Sequence, residues 1–346
     1  MKVCVLGAGA IGLTYCGLLT ARGHDVLLLS ESGEIPPRQT FEGAFEGTFR
    51  FSTVPSLEEA AQRAEVLVFA RRAEAIRPTI EAVVPLLCPH HAVVISAELS
   101  FASLHFAAAL AAAGKPARII PWSTTLATAQ KRPDGIRVGT IRGTVDMAVT
   151  DALDPLTGKQ ICSDLFGDNF RVLRSPLAIG LSNLNPQIHL ANGLANLTRI
   201  EKGEDWENYG CITPAVGRLI ESLDRERLAV AQALGIGVRD VFEHYVRTFP
   251  KIRPASVSDM AQQVCRDSPG TKGPTELATR YLTEDIPYGI VPLCNLARDL
   301  GVAVPLHEAG VTLVSGYLGR DLRRANDLGA VNEDFWRKTL LCSEAS

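Results

Sequence analysis

The sequence predicts a two-domain α/β fold: a doubly wound domain over residues 1–173, then an all-helical domain over residues 174–346. Three observations carry this. The apolar run Val3–Leu6 leads into glycines at fixed spacing and then into a helical pattern. Short β-rich runs and helical runs alternate from there to about Asp168, the pattern of a parallel sheet covered by helices. Beyond Leu173 the runs are helical throughout. A chain of 346 residues with 46% apolar composition is ample for two cores.

The first element is the strand "VCVL" (3–6), followed by Gly7-Ala8-Gly9-Ala10-Ile11-Gly12, the helical "LTYCGLLTARGH" and a second strand, "DVLLLS", from Asp25. Strand, glycine turn, helix and strand in this order form the context that a dinucleotide-binding fingerprint requires, so the domain reads as Rossmann-type. Gly7 permits the tight turn, Gly9 lets the backbone approach a pyrophosphate, and Gly12 lets the helix pack closely. Ala10 and Ile11 complete the turn at the helix N-terminus, where backbone N–H groups face an anion. Ser30 takes the end of the second strand, with Glu31 one place later. A serine accommodates a 2'-phosphate that Arg38 could reach, which favours NADP. Glu31 turned inward would hold a ribose and favour NAD.

The alternation continues with a helix in "VPSLEEAAQRA", a strand in "EVLVFA", a helix in "RPTIEAVVPLL" and a strand in "HAVVIS". Next come the helix "ASLHFAAALAAAG", the strand "ARIIPW" and short strands in "GIRVGTIRGTVDMAVT", all expected in one mostly parallel sheet. Arg71 and Arg72 follow a strand at the edge expected to face cofactor. They suit a phosphate or carboxylate as well as they suit solvent. The second domain reads as helices from "IGLSNLNPQIHLANGLANLTRI" to "LHEAGVTLVSGYLGRDL", and the final "LLCSEAS" as a loose end.

Net charge near -3 and no sustained basic run disfavour nucleic-acid and anionic-membrane partners. No run of about 20 apolar residues marks a membrane span. The eight cysteines are scattered without a CxxC pair, which reads as a reduced, cytoplasmic protein with no zinc site. The expected partners are small molecules, and a homodimer is left open.

His189 lies among Asn183, Asn185, Asn192 and Asn196. Histidine shuttles protons near neutral pH, and a satisfied polar residue in a helix bundle is the equal alternative. In "TRYLTEDIPYGIVP", Arg280 could clamp a carboxylate and Asp285 could orient a histidine. A surface salt bridge there is the other reading, and charge chemistry alone does not choose between them. Pro287 is expected to interrupt any helix.

With "GAGAIG", "NLNPQIHLANGLAN", "YGCITPAVGRLIESLDRERLAVAQALGI" and "RYLTEDIPYGIVPL" in this order, the chain resembles the opine dehydrogenases over nearly its whole length. The resemblance implies reductive joining of a 2-keto acid, commonly pyruvate, to an amino acid's amino group with NADH or NADPH, at a cleft between the domains. It places the family's catalytic histidine on His189, its carboxylate partner on Asp285, its keto-acid arginine on Arg280 and an accompanying asparagine on Asn185. The amides would then line a polar cleft around the imidazole. Two places depart from the family: "SAELSFASLHF" from Ser96 stands where relatives carry a glycine-rich turn, and "ARRAEA" where they often have proline. A ketopantoate reductase-like enzyme is the first rival. It needs a catalytic lysine in the second domain, where Lys202, Lys251, Lys272 and Lys338 are the candidates. A non-catalytic NAD(P)-binding sensor is the second.

Overall fold

The computed structural model describes residues 1–30, 35, 36, 38–249, 251–267 and 270–326. Two compact units divide after Gly180. Glu31, Lys338 and the final "LLCSEAS" lie outside the described residues.

The first unit is built on a six-stranded parallel sheet. Its strands are β1 (Lys2–Leu6), β2 (Asp25–Leu29), β5 (Ser52–Val54), β6 (Val66–Phe69), β7 (Ala92–Ile95) and β8 (Ile119–Pro121), in the order β5-β2-β1-β6-β7-β8. Counting only these strands, the order is 3-2-1-4-5-6, the Rossmann order that reverses direction between β1 and β6. Strands β1, β6 and β7 are almost wholly apolar, as a sheet covered on both faces requires. Helices α1 (Ala10–Ala21), α2 (Leu57–Arg63), α3 (Ile76–Val83) and α4 (Ala102–Ala112) supply crossovers. Ser56 caps α2 by accepting from the Glu59 N–H.

The crossover from β2 to β5 departs from expectation. Among the described residues it contains a hairpin, β3 (Arg38–Gly43) and β4 (Gly47–Arg50). This hairpin joins β9 (Ala127–Arg132) and β10 (Gly135–Ile141) in a second, four-stranded mixed sheet, β4-β3-β10-β9. The run "GIRVGTI" therefore does not extend the parallel sheet as expected. It turns back at Pro133-Asp134 and pairs antiparallel with β9. The following β11 (Val145–Met147) pairs with β12 (Phe170–Val172), across α5 (Pro155–Phe166). Tyr15 of α1 meets Trp122 and Phe166 edge-on, at ring centroid distances of 6.0 and 5.3 Å, and these rings anchor the core.

The second unit is helical, as expected. It contains α7 (Asn185–Ala195), α8 (Leu197–Glu201), α9 (Pro214–Ala233), α10 (Val241–Thr248), α11 (Val257–Asp267), α12 (Arg280–Thr283), α13 (Val291–Asp299) and α14 (Pro305–Leu318). The run from Ile179 to Ile200, expected as one helical stretch, is three helices, the first being α6 (Pro176–Ser182) at the unit boundary. Asn183 explains the first break: its side-chain oxygen accepts from the Asn185 N–H, a local turn that competes with helix. Pro287 behaves differently from expectation. It sits in the first turn of a π-helical segment, Ile286–Ile290, where a missing N–H costs little, and that segment runs on into α13.

Candidate active site

Within the first unit, Gly7, Gly9 and Gly12 sit at the carboxyl end of β1, beside the point where strand order reverses. Gly7 has φ +117°, and a Cβ there would lie 2.5 Å from the Ala70 carbonyl oxygen. A Cβ on Gly12 would lie 1.9 Å from the Gly7 carbonyl oxygen. Both positions therefore demand glycine on packing grounds. Gly9 differs: a Cβ there meets nothing within 4 Å, so the space over it is open. Gly9 also opens α1 without a side-chain cap, and no acidic residue occupies the first turn, which holds Ala10 and Ile11. An uncapped 12-residue helix facing open space fits a pyrophosphate.

Arg71 follows β6, and its Cγ lies 3.3 Å from where a Gly7 Cβ would stand, which puts it beside this turn. Arg72 points elsewhere, pairing with Glu74 at 3.3 Å on the surface. Ser30 ends β2 half-buried, and Arg38 begins β3 exposed. The loop after β7 holds Ala97, Ser100 and Phe101 at φ +55°, +56° and +52° with no glycine. Glu98 organises this loop. Its Oε1 accepts from the Ser103 N–H at 2.6 Å and from the Ser103 hydroxyl, at the start of α4. Burial pushes the Glu98 carboxyl up to about 7, against the opposing effect of those two hydrogen bonds.

Cys88, His90 and His91 also cluster in the first unit, with donor atoms within 4.8 Å of one another. His91 is already committed: its Nδ1 accepts from the Cys88 N–H at 2.8 Å, and its Nε2 lies 2.9 Å from the Ala61 carbonyl oxygen. Nδ1 closes the turn on itself, and Nε2 staples it to α2.

In the second unit, α7 presents His189 to Asp285 just ahead of the π-helical segment. Nδ1 lies 2.8 Å from the Asp285 Oδ2. Arg280 approaches the same oxygen at 3.5 Å and Glu284 at 3.8 Å. The Asp285 side chain is 1% exposed, that of His189 15% and that of Arg280 51%, so this is no surface salt bridge. Burial alone would raise the Asp285 carboxyl; the adjoining His189 and Arg280 outweigh it and hold the carboxyl below its usual range. Coulombic attraction to Asp285 likewise raises Arg280 above its ordinary value, so the guanidinium stays charged. With Nδ1 committed, His189 Nε2 has no hydrogen-bond partner among the described residues. Asn185, half-buried, lies four residues earlier on α7 and hence on the same face.

A second histidine–carboxylate pair shows what is distinctive here. His307 Nδ1 lies 2.7 Å from Glu226 Oε2, but the His307 side chain is fully buried and its Nε2 faces Gln187 at 3.4 Å. Glu226 also accepts the Leu306 and His307 N–H groups, so this pair caps α14. Of the two pairs, His189 alone combines an orienting carboxylate with a part-exposed ring whose second nitrogen has no hydrogen-bond partner among the described residues.

Asn192 and Asn196 do not line a cleft as expected. Asn192, Asn196 and Asn208 are buried and bonded to one another: Asn196 Nδ2 donates to Asn192 Oδ1 at 3.0 Å, and Asn192 Nδ2 to Asn208 Oδ1 at 2.9 Å. A buried amide needs such partners, and here the amides supply them to each other. The ladder ends on Tyr281, whose hydroxyl donates to Asn208 Oδ1 at 3.3 Å and whose ring stacks on His189. The sequence reading missed Tyr281 and Asn208. Their only sequence signal is the adjacency of Tyr281 to Arg280.

Residues 172–318 match the family model for the NAD/NADP octopine/nopaline dehydrogenase alpha-helical domain, and residues 3–150 match that for ketopantoate reductase PanE/ApbA. The chain is 34% identical over 199 residues to an opine dehydrogenase of Arthrobacter sp. (strain 1C), a match spanning 56% of this chain and 54% of that enzyme's length. It is 26% identical over 352 residues to Protein ocs of Agrobacterium tumefaciens (strain Ach5), covering 93% of this chain and 92% of that protein. Among solved structures, octopine dehydrogenase with NADH and L-arginine superimposes with TM-score 0.78 at 18% identity, covering 92% of this chain and 90% of that one. Yersinopine dehydrogenase with NADP+ gives 0.72 at 16% identity, over 98% and 99%.

Proposed function

We propose that this chain is an opine dehydrogenase, an NAD(P)H-dependent oxidoreductase that reductively joins a 2-keto acid to the amino group of an amino acid. The observation that carries the proposal is the His189–Asp285 pair beside a half-exposed arginine, with the second imidazole nitrogen uncommitted.

Arg280 grips the keto-acid carboxylate through N–H groups that Asp285 leaves free. His189 Nε2 takes a proton from the incoming ammonium, so the free amine attacks the keto carbon. The same nitrogen returns the proton to the hydroxyl that leaves as water, and a protonated imine forms. Asp285 holds Nδ1–H and stabilises the imidazolium that each proton transfer creates. Asn185, on the same helix face, offers an amide to the substrates. NADPH or NADH, when bound, supplies the hydride that reduces the imine carbon to a secondary amine dicarboxylate. Gly7, Gly9 and Gly12, with the α1 N-terminus and Arg71, would hold its pyrophosphate. Ser30 and Arg38 would favour the 2'-phosphate of NADP, and Glu31 would oppose it. We place the reaction in the cytoplasm, on the scattered cysteines.

The match of residues 3–150 favours one second reading, plain reduction of a 2-keto acid as in ketopantoate reductase. Among the described residues it lacks its lysine. Lys202 and Lys251 are exposed, and Lys272 is paired with Glu207 at 2.7 Å and Asp205 at 3.2 Å. The test follows cofactor absorbance with pyruvate, with and without each amino acid. Turnover that requires the amine supports the proposal. Equal rates without amine would give the chain to the keto-acid reductases, and cofactor binding with no turnover would make it a sensor.

A further inference from the structure

The His189 imidazole is held in two directions. Asp285 fixes it in its plane through Nδ1. Tyr281 covers one face: the rings are parallel to within 10°, with centroids 3.6 Å apart. A hydrogen bond on one nitrogen leaves a ring free to swing about that bond, carrying the opposite nitrogen with it. A flat partner in contact with the face removes that freedom. The partner must itself be fixed, and Tyr281 is. Its backbone lies between Arg280 and Asp285, and its hydroxyl donates to the Asn208 Oδ1 that also receives Asn192. Burial foremost, then the nearby Tyr209 and Asp285, pushes the phenol well above its ordinary acidity range, so the hydroxyl keeps the proton it donates.

We infer that Tyr281 is a positioning residue for the proposed proton transfer, fixing the plane of the His189 ring so that Nε2 points at one place, with the Asn192–Asn208 amides as the anchor of that tyrosine. The inference deepens the acid–base reading of His189 and rests on it. Asn192, which shares a helix face with His189, thus helps to hold the ring that holds the imidazole. Tyr281 touches the imidazole and not the reacting atoms, so its removal acts on turnover through alignment and leaves carboxylate binding by Arg280 in place.

The experiment compares the wild-type chain with Tyr281→Leu and Tyr281→Phe in two measurements. In the first, NMR spectra of protein carrying isotope-labelled histidine are recorded, the His189 ring signals being identified by their loss in His189→Gln. Stacking on a phenol moves those signals upfield. The shift is expected in the wild type and in Tyr281→Phe, and should be lost in Tyr281→Leu. In the second, kcat should fall about tenfold or more in Tyr281→Leu with the keto-acid KM nearly unchanged, and Tyr281→Phe, which keeps the stacked ring but loses its anchor, should recover only part of it. Unshifted His189 signals in the wild type would overturn the inference, even if no leucine variant folds. So would a folded Tyr281→Leu protein with wild-type kcat, or a phenylalanine variant no better than leucine. His189→Gln assayed alongside separates the two ideas. Full turnover in that variant removes the acid–base reading, while the ring signals still report whether Tyr281 fixes the imidazole.

Discussion

The glycine turn of the first unit and the histidine site of the second are built by opposite means. At the turn the chain strips side chains away. Gly7 and Gly12 pack backbone on backbone, and Gly9 leaves open space above an uncapped helix. What remains to meet a ligand is peptide N–H and a helix dipole. At the histidine site the chain does the reverse, setting a buried carboxylate and buried amides around a part-exposed imidazole and the phenol stacked on it. A turn of bare backbone depends on a few contiguous residues. A site of buried polar side chains depends on partners far apart in sequence, each costly to leave unpaired. Damage should therefore spread differently: at the turn through sterics and fold, at the histidine through chemistry alone.

The largest effect tests the chemical side of this contrast. His189→Ala should lower kcat by about 10²–10⁴-fold while leaving NAD(P)H affinity near wild type. Asp285→Asn should give a smaller loss, about 10²-fold, because the imidazole survives without its orienting charge. Arg280→Ala should act mainly on the keto-acid KM, raising it about tenfold to a hundredfold, as expected for a lost charged hydrogen-bonding clamp. Steady-state kinetics with cofactor binding measured by fluorescence checks all three. If His189→Ala lost cofactor affinity as well, the two regions would not be the independent machines described above.

The steric side comes next. Gly12→Ala puts a Cβ 1.9 Å from the Gly7 carbonyl oxygen, so backbone must move. It should cost about 1–3 kcal/mol of stability and weaken cofactor binding together. Gly9→Ser should dissociate the two. Its side chain enters open space and caps α1, so thermal stability holds or rises while cofactor affinity falls about tenfold. Calorimetry with and without cofactor decides. Equal destabilisation by both substitutions would mean that Gly9 is a packing residue like its neighbours.

The same contrast governs what could be read from sequence. Gly7, Gly9 and Gly12 announce their roles because the constraint is local: a strand, three glycines and a helix in contiguous order. The parallel strands are legible for a similar reason, since a strand buried on both faces must be continuously apolar. The hairpin at Arg38–Arg50 was not legible. Its residues alternate weakly, and what fixes it is pairing with β10, some ninety positions away. His189, Asp285 and Arg280 could be named as candidates from residue chemistry and family likeness. Their support could not: nothing in "RYLTED" says that Tyr281 lies flat on the imidazole, or that its hydroxyl ends a chain of amides. The asparagine spacing pointed to a polar face and misplaced its purpose, because spacing shows which residues share a face and not what that face meets.

The loop after β7 joins the two styles, since it holds Ala97, Ser100 and Phe101 at positive φ, where glycine is the usual choice. Glu98 is buried there, with its carboxyl raised to about 7 from an ordinary 4.5. Between those values the folded protein holds a proton that the unfolded chain releases. Stability from this group is therefore fully present below about pH 4.5 and is lost as pH rises through 7. Glu98→Gln keeps an acceptor for Ser103 and removes the charge. It should flatten this dependence and add about 2–3 kcal/mol at pH 8.5, with little change at pH 4.5. Urea unfolding at the two pH values measures it. A variant that tracked the wild type at both would show that Glu98 stays ionised in the fold.

The smallest expected effect lies in the same loop and asks whether its strain is structural or functional. Ala97 and Ser100 hold φ near +55°, where a Cβ crowds the following carbonyl at a cost of roughly 1–2 kcal/mol per residue. Glycine would relieve that crowding but lose more entropy on folding, which takes back about half. Ala97→Gly should therefore stabilise the protein by about 0.5–1 kcal/mol, read as a higher urea midpoint at unchanged slope. Strain retained in a natural chain usually persists because the surroundings over-determine it, often beside a ligand. The loop begins at Ser96, whose hydroxyl lies 2.7 Å from that of Tyr15 on α1, the helix that starts at the glycine turn. If the stiff loop pre-shapes the cofactor site, the more stable Ala97→Gly protein should bind NAD(P)H more weakly, by about twofold to fivefold, because part of the binding energy must then order the loop. Unchanged affinity with raised stability would make the strain an accident of sequence, and would leave the bare glycine turn as the only part of this edge built for the cofactor.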